Sequence, residues 1–242
     1  MMAALLCLGF SLNAQAPEPA KLPGEPHHHL KFENAYVRVY FVEVAAHDET
    51  QLHQHDHDYV FFSLGQTDVI NAILDKPEVR VSLKDGDMRF TRGNFAHVAR
   101  NVSDEPFRNI AIEFLRPQGE PENLCAQVVL AKPVGICDRT LVSAKDRSFS
   151  LEPEMEMGET EVDLVKFEGK KCDSALRPQS LIVSVDAPGI QVNVDGTKGK
   201  SLYQGEVMWI GREAHGYVSN LGKEPSRYLQ LTFNDSAPKA KR

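Results

Sequence analysis

The chain has 242 residues, a hydrophobic content of 42% and a formal net charge of −7. That length allows one large domain or two of ordinary size, and the apolar fraction is enough for packed cores. The acidic balance leaves no basic footprint for nucleic acid and no draw toward an anionic membrane, so a small molecule or an ion is the expected partner.

Residues 1–16 differ from the rest. Met1 to Leu12 carry no charge and include Leu5, Leu6, Leu8 and Phe10, and Ala14-Gln15-Ala16 follows as a small-x-small pattern. This predicts a signal peptide over 1–16, cleaved after Ala16, and hence a periplasmic or secreted protein, although no Lys or Arg precedes the apolar run. No other apolar run is long enough to span a bilayer. Residues 17–33 are rich in Pro and His and predict an extended N-terminal lead-in. His27, His28 and His29 read there as a solvated loop, with loose metal binding as the alternative. Adjacent histidines of an extended chain cannot all face one centre.

From Ala35 the chain reads as short strands. Alternating or β-rich runs predict strands near 37–42, 58–64, 68–74, 79–83, 88–91 and 109–115, broken by turns such as Lys84-Asp85-Gly86-Asp87. Residues 117–149 interrupt this rhythm with Pro117, Gly119, Pro121, Pro133 and Gly135, and predict a linker with one short strand near 127–131. Strand signals return at 161–167, 180–185 and 190–194. No long amphipathic helix competes, so the fold class is all-β, a sandwich or barrel. After removal of the first segment, Cys125, Cys137 and Cys172 remain. Export would permit a Cys125–Cys137 ring with one thiol left over, and three buried, reduced cysteines are the equal alternative.

An internal repeat organises the strands. Gly86-Asp-Met-Arg-Phe-Thr-Arg-Gly is followed by Ala96-His97, Asn101, Glu105-Pro106 and Phe114. Gly205-Glu-Val-Met-Trp-Ile-Gly-Arg is followed by Ala214-His215, Asn220, Glu224-Pro225 and Phe233. Gly to Phe spans 28 positions in each copy, with one residue lost before the second histidine and regained after it. Two modules of one fold account for this.

The first module carries the chemistry. In Gln51-Leu-His53-Gln-His55-Asp-His57-Asp-Tyr59, period-two alternation puts His53, His55, His57 and Tyr59 on one face for as long as the strand lasts. Two imidazoles two residues apart can converge on one ion, and the repeat makes His97 the candidate third ligand. Imidazole suits iron, copper, zinc, nickel or manganese, so the expected cofactor is one divalent transition metal ion. Near 109–115, Asn109, Ala111 and Glu113 share a face. Glu113 is either a base or anionic group in the cavity or a surface residue.

These residues resemble the cupin superfamily, and the repeat resembles a bicupin. His53-Gln-His55 resembles the paired histidines of the first cupin motif. Gly86, His97 and Asn101 resemble the second, although Gly93 stands one position early and Arg92 replaces a proline. The resemblance implies two tandem cupin-type (double-stranded β-helix, jelly-roll) barrels: a metal-binding domain over 34–116 and a degenerate one over 150–236. It implies His53, His55 and His97 as metal ligands. The family's glutamate ligand aligns with Tyr59, so the ligand set is all neutral, which favours an anionic or chelating substrate. Tyr59 then donates a hydrogen bond or fills the barrel ahead of ligating. His57 is a fourth ligand, a proton-transfer group or a rim residue. The second module has His215 but no first-motif histidine, and is expected to pack on the first or to carry a homodimer surface. The functional expectation is a metal-dependent enzyme, dioxygenase-like or isomerase-like, acting on a small oxygen-bearing molecule, with His57, Tyr59 and Glu113 handling protons. The alternative is a non-catalytic cupin that binds a metal or a small ligand.

Overall fold

A computed structural model describes residues 18–123, 141–142, 149–169 and 173–234. The expected signal peptide, all four cysteines and the strand expected near 127–131 lie outside the described residues.

The first module runs β1 (Ala20–Lys21), a 3-10 turn (Leu22–Gly24), β2 (His28–Glu33), β3 (Val37–Val44), β4 (His53–His55), β5 (Tyr59–Ser63), β6 (Thr67–Ile73), β7 (Val79–Leu83), β8 (Met88–Thr91), β9 (Phe95–Asn101) and β10 (Phe107–Phe114). These form two five-stranded sheets, ordered β1-β4-β9-β6-β7 and β2-β3-β10-β5-β8. The second module runs β11 (Glu122–Asn123), β12 (Leu141–Val142), β13 (Phe149–Glu156), β14 (Thr160–Phe167), β15 (Asp173–Ala175), β16 (Ser180–Ser184), β17 (Ile190–Val194), β18 (Lys200–Leu202), β19 (Val207–Ile210), β20 (Gly216–Asn220) and β21 (Ser226–Phe233). Its sheets are β11-β13-β14-β21-β16-β19, with β12 on β13, and β15-β20-β17-β18. The protein is all-β, two jelly-roll barrels in tandem. No helix among the described residues is long and apolar enough to cross a membrane.

Three apolar clusters hold it together. Tyr40, Val42, Val44, Val69, Leu83 and Phe107 pack inside the first barrel. Val165, Phe167, Leu176, Ile190, Val218 and Tyr228 pack inside the second. The third cluster lies between the barrels, where Val39, Phe62, Ile112 and Phe114 meet Met155, Leu164, Leu181 and Leu231. Strand β3 shows why: Val37 and Val39 face the shared core, while Tyr40, Val42 and Val44 face the barrel interior. A strand buried on both faces reads as a Val-rich run.

The repeat is structural. Gly86 (φ 86°) and Gly205 (φ 77°) each take the left-handed turn before β8 and β19, which glycine adopts without steric cost. Asn101 and Asn220 each donate from Nδ2 to the carbonyl of the residue four positions on, Glu105 and Glu224, at 2.8 and 2.9 Å. The bulge in β2 between Leu30 and Phe32 recurs in β13 between Pro153 and Met155.

Two sequence expectations change. Residues 28–33 are not lead-in; they pair antiparallel with β3, so the first barrel begins earlier than 34. The strand-pair register puts Gly216, not His215, at the place of His97: Ile73 faces His97 in one barrel and Val194 faces Gly216 in the other. One step along a strand reverses the side chain, and His215 is exposed.

Candidate metal centre

Strand β4 delivers His53 and His55 to the interior of the first barrel, where they are 0% and 2% exposed, and β9 brings His97 opposite His53 in register. The ring centroids of His53 and His97 are 4.5 Å apart, those of His53 and His55 5.1 Å, and those of His55 and His97 5.2 Å. A fourth ring joins them from β2. His28, with a side chain 6% exposed, lies 4.7 Å from His53 and 6.1 Å from His55 between centroids. The ligand atoms of His28, His53 and His55 all lie within 4.8 Å of one another, a group that does not include His97.

The rings are oriented by their Nδ1 atoms. His53 donates Nδ1–H to the Gln51 carbonyl at 2.8 Å, His97 to Asn71 Oδ1 at 2.7 Å, and His28 to Glu25 Oε2 at 2.6 Å. His55 Nδ1 faces Glu113 Oε1 at 3.7 Å. For His53, His97 and His28 such acceptors fix the tautomer and leave Nε2 with its lone pair, whereas His55 Nδ1 is buried without a hydrogen-bond partner. The buried Nε2 atoms of His53 and His97 have no hydrogen-bond partner. An unpaired buried lone pair is costly, and a metal ion is what would satisfy it. Burial, then the neighbouring imidazole of His28, pushes the His53 pKa down to about 4. Burial and then the His53 ring hold both His55 and His97 well below the usual imidazole range. His53, His55 and His97 are therefore neutral at physiological pH, as ligation requires.

Tyr59 stacks on His55 at 4.3 Å and 15°, and burial pushes its phenol up to about 12, so it stays protonated. Glu113 is 1% exposed and receives Arg38 at 3.3 Å. Burial raises its pKa, against the pull of Arg38. It sits behind His55 and does not line the cavity. His57 is half-buried and lies apart from the ring cluster. The alternation that would have turned it inward ends at His55. The Asp58 carboxylate accepts from Gly93 N–H at 2.9 Å and from Arg92 at 2.6 Å, and Gly93 is pressed on the His57 backbone, where a Cβ would stand 2.4 Å from the His57 carbonyl carbon.

The cluster opens on a cavity of about 580 Å³, walled by apolar side chains such as Val42, Phe61, Val69 and Phe95, with Lys76 and Arg89 as cationic members. No Asp or Glu among the described residues lines it. Among the described residues the second barrel has no counterpart to the ring cluster. Leu176, placed opposite Gly216 as His53 is opposite His97, and Leu151, placed against Val165 as His28 is against Val42, both join its apolar core. At Gly216 a Cβ would stand 1.9 Å from the Asn193 carbonyl oxygen, so no side chain fits there.

Two jelly-roll barrels in tandem with this strand order have the bicupin fold, and among the described residues the histidine cluster lies in the first barrel alone. Solved structures agree with that fold. AerE from Microcystis aeruginosa aligns with a TM-score of 0.63 at 12% identity, over 87% of this chain and 94% of that one. Oxalate decarboxylase from Bacillus subtilis aligns at 0.56 and 11% identity, over 86% and 76%. Salicylate 1,2-dioxygenase from Pseudaminobacter salicylatoxidans aligns at 0.53 and 11% identity, over 82% and 71%. Neither a protein-family model nor a curated protein matches the sequence.

Proposed function

We propose that the protein is a metal-dependent cupin enzyme that holds one divalent transition metal ion on His53, His55 and His97 and oxidises a small, largely apolar molecule through its chelating oxygens. The observation that carries this reading is a set of buried imidazoles with unpartnered nitrogens, Nε2 of His53 and His97 and Nδ1 of His55, set in a largely apolar cavity. A bound ion would supply a Lewis acid and an oxygen-activating centre there. The protein's own part is to orient the rings, exclude water and place a few polar groups. Tyr59, the one member of the His57, Tyr59, Glu113 set that lines the cavity, offers a phenol hydrogen to substrate. Glu113 acts through His55, and Lys76 and Arg89 favour an anionic end on the substrate. An isomerisation would need a base beside the substrate, and the described lining holds no carboxylate, which favours the dioxygenase-like option. A salicylate dioxygenase and an oxalate decarboxylase among the proteins that share the fold act on small carboxylates, which is consistent with this substrate class.

Protein purified without added metal should carry about one redox-active ion per chain and consume oxygen with a member of a panel of catechols, hydroxybenzoates, diketones and thiols. His53→Ala with His97→Ala should remove both metal and turnover. Metal that persists in this double variant would refute the assignment. Tight metal without oxygen uptake on any panel member would instead favour a non-catalytic binding cupin. We also propose that the chain is exported; the mature protein should then begin at Pro17 on N-terminal sequencing, and an intact Met1 on exported material would contradict the cleavage site.

A further inference from the structure

We infer that His28 is a fourth metal ligand and that Glu25 is the positioning residue that locks it, so that the N-terminal strap, residues 20–28, completes the coordination sphere. The inference rests on the reading that the first barrel holds a metal ion. It is carried by geometry. The ligand atoms of His28, His53 and His55 fall within 4.8 Å of one another, a group that does not include His97. The His28 ring lies on the same buried side as His53, although His29, its neighbour, is exposed. One residue of three turns inward, as strand alternation allows.

Glu25 behaves as a fixed carboxylate. Its side chain is fully buried. One oxygen accepts from His28 Nδ1 at 2.6 Å and His27 N–H at 2.9 Å; the other accepts from His27 Nδ1 at 2.9 Å and Gln51 N–H at 3.1 Å. Gln51 then receives His53 Nδ1 on its carbonyl at 2.8 Å. Glu25 thus sets the His28 ring directly and the His53 ring through the backbone of one residue, Gln51. The strap is docked beside these groups: Ala20 pairs with His53 in a parallel bridge, Leu22 is buried, and Lys21 meets Asp56 at 2.9 Å. A carboxylate holding the far nitrogen of a ligating imidazole is the arrangement that orients the ring and raises its basicity. It also supplies, across the His28 ring from the ligating nitrogen, the negative charge that an all-imidazole shell lacks.

The test uses Cu(II) as the probe on the full mature chain. Electron–nuclear resonance that counts coupled imidazoles should find four in the wild type and three in His28→Ala, with Cu(II) affinity lowered at least tenfold in that variant. Glu25→Gln should keep four imidazoles and lower affinity about 10–100-fold. A wild-type count of three, or a His28→Ala affinity equal to wild type while His97→Ala loses the ion, overturns the fourth ligand and leaves the metal reading intact. No Cu(II) binding by the wild type overturns both. The wild-type count stands even if a variant fails to fold.

Discussion

His53 is buried where a charged imidazole is penalised, and this sets a pH dependence for the metal-free protein. Its pKa is about 4 in the fold, against an ordinary value of 6.5. Between those values the unfolded chain takes up the proton and the folded one does not, so acidification through this window draws the equilibrium toward unfolding. Glu154 acts in the opposite sense, because burial and then the nearby Glu152 push its pKa from 4.5 to about 7, and the folded form holds the extra proton. The difference between wild type and His53→Gln cancels that contribution. With metal removed, urea melts should show the variant gaining stability relative to wild type by up to about 3 kcal/mol as the pH falls from 6.5 to 4. A difference independent of pH would mean that the ring is solvated in the apoprotein.

Single strands owe their ends to side chains that secure the next turn, and the paired asparagines make this measurable. Asn101 donates to the carbonyls of Val44, Ala45 and Glu105 and accepts from Thr67 and the Ser103 N–H. Asn220 keeps the Glu224 carbonyl, Ser226 and Gly222. Asn101→Ala should cost about 2–4 kcal/mol in equilibrium unfolding, and more than Asn220→Ala, because it leaves more buried groups unpaired. A larger loss at Asn220 would contradict the ranking. Strands such as β7 (Val79–Leu83) and β17 (Ile190–Val194) were legible in the sequence to the residue, since their β-rich runs end at turn residues. The shared face of His53 and His55 was legible for the same reason, since period two acts locally, while His97 came from the internal repeat. Strand β2 was not. It lies at a sheet edge with His29, Leu30 and Lys31 all exposed, and only pairing with β3 makes it a strand. That is why the local sequence around His28 has the character of a loop. His57, read as a ligand, a proton-transfer group or a rim residue, falls off the shared face because Asp58 and Gly93 end the local period after His55.

Across the molecule, the two barrels share one apolar layer, and this makes the empty-handed second barrel part of the stability of the first. Val39, Phe62 and Ile112 have their partners in Leu164, Leu181 and Leu231, so separation would expose fully buried side chains from both modules. Arg227 of the second module reaches Asp85 of the first at 2.8 Å while held by Asp186 at 2.6 Å. Trp209, the one tryptophan, belongs to the second module and stacks on Tyr36 of the first at 5.3 Å. Its fluorescence therefore reports the junction, far from any ligand of its own. A metal ion bound to the native state at a hundred times its Kd stabilises that state by about 2.7 kcal/mol. If the modules unfold as one unit, adding the ion should raise the midpoint seen by Trp209 fluorescence and by circular dichroism together, although the ion sits in the other barrel. Two transitions, with the tryptophan signal unmoved by metal, would show that the shared layer does not couple the barrels and that the second folds on its own account.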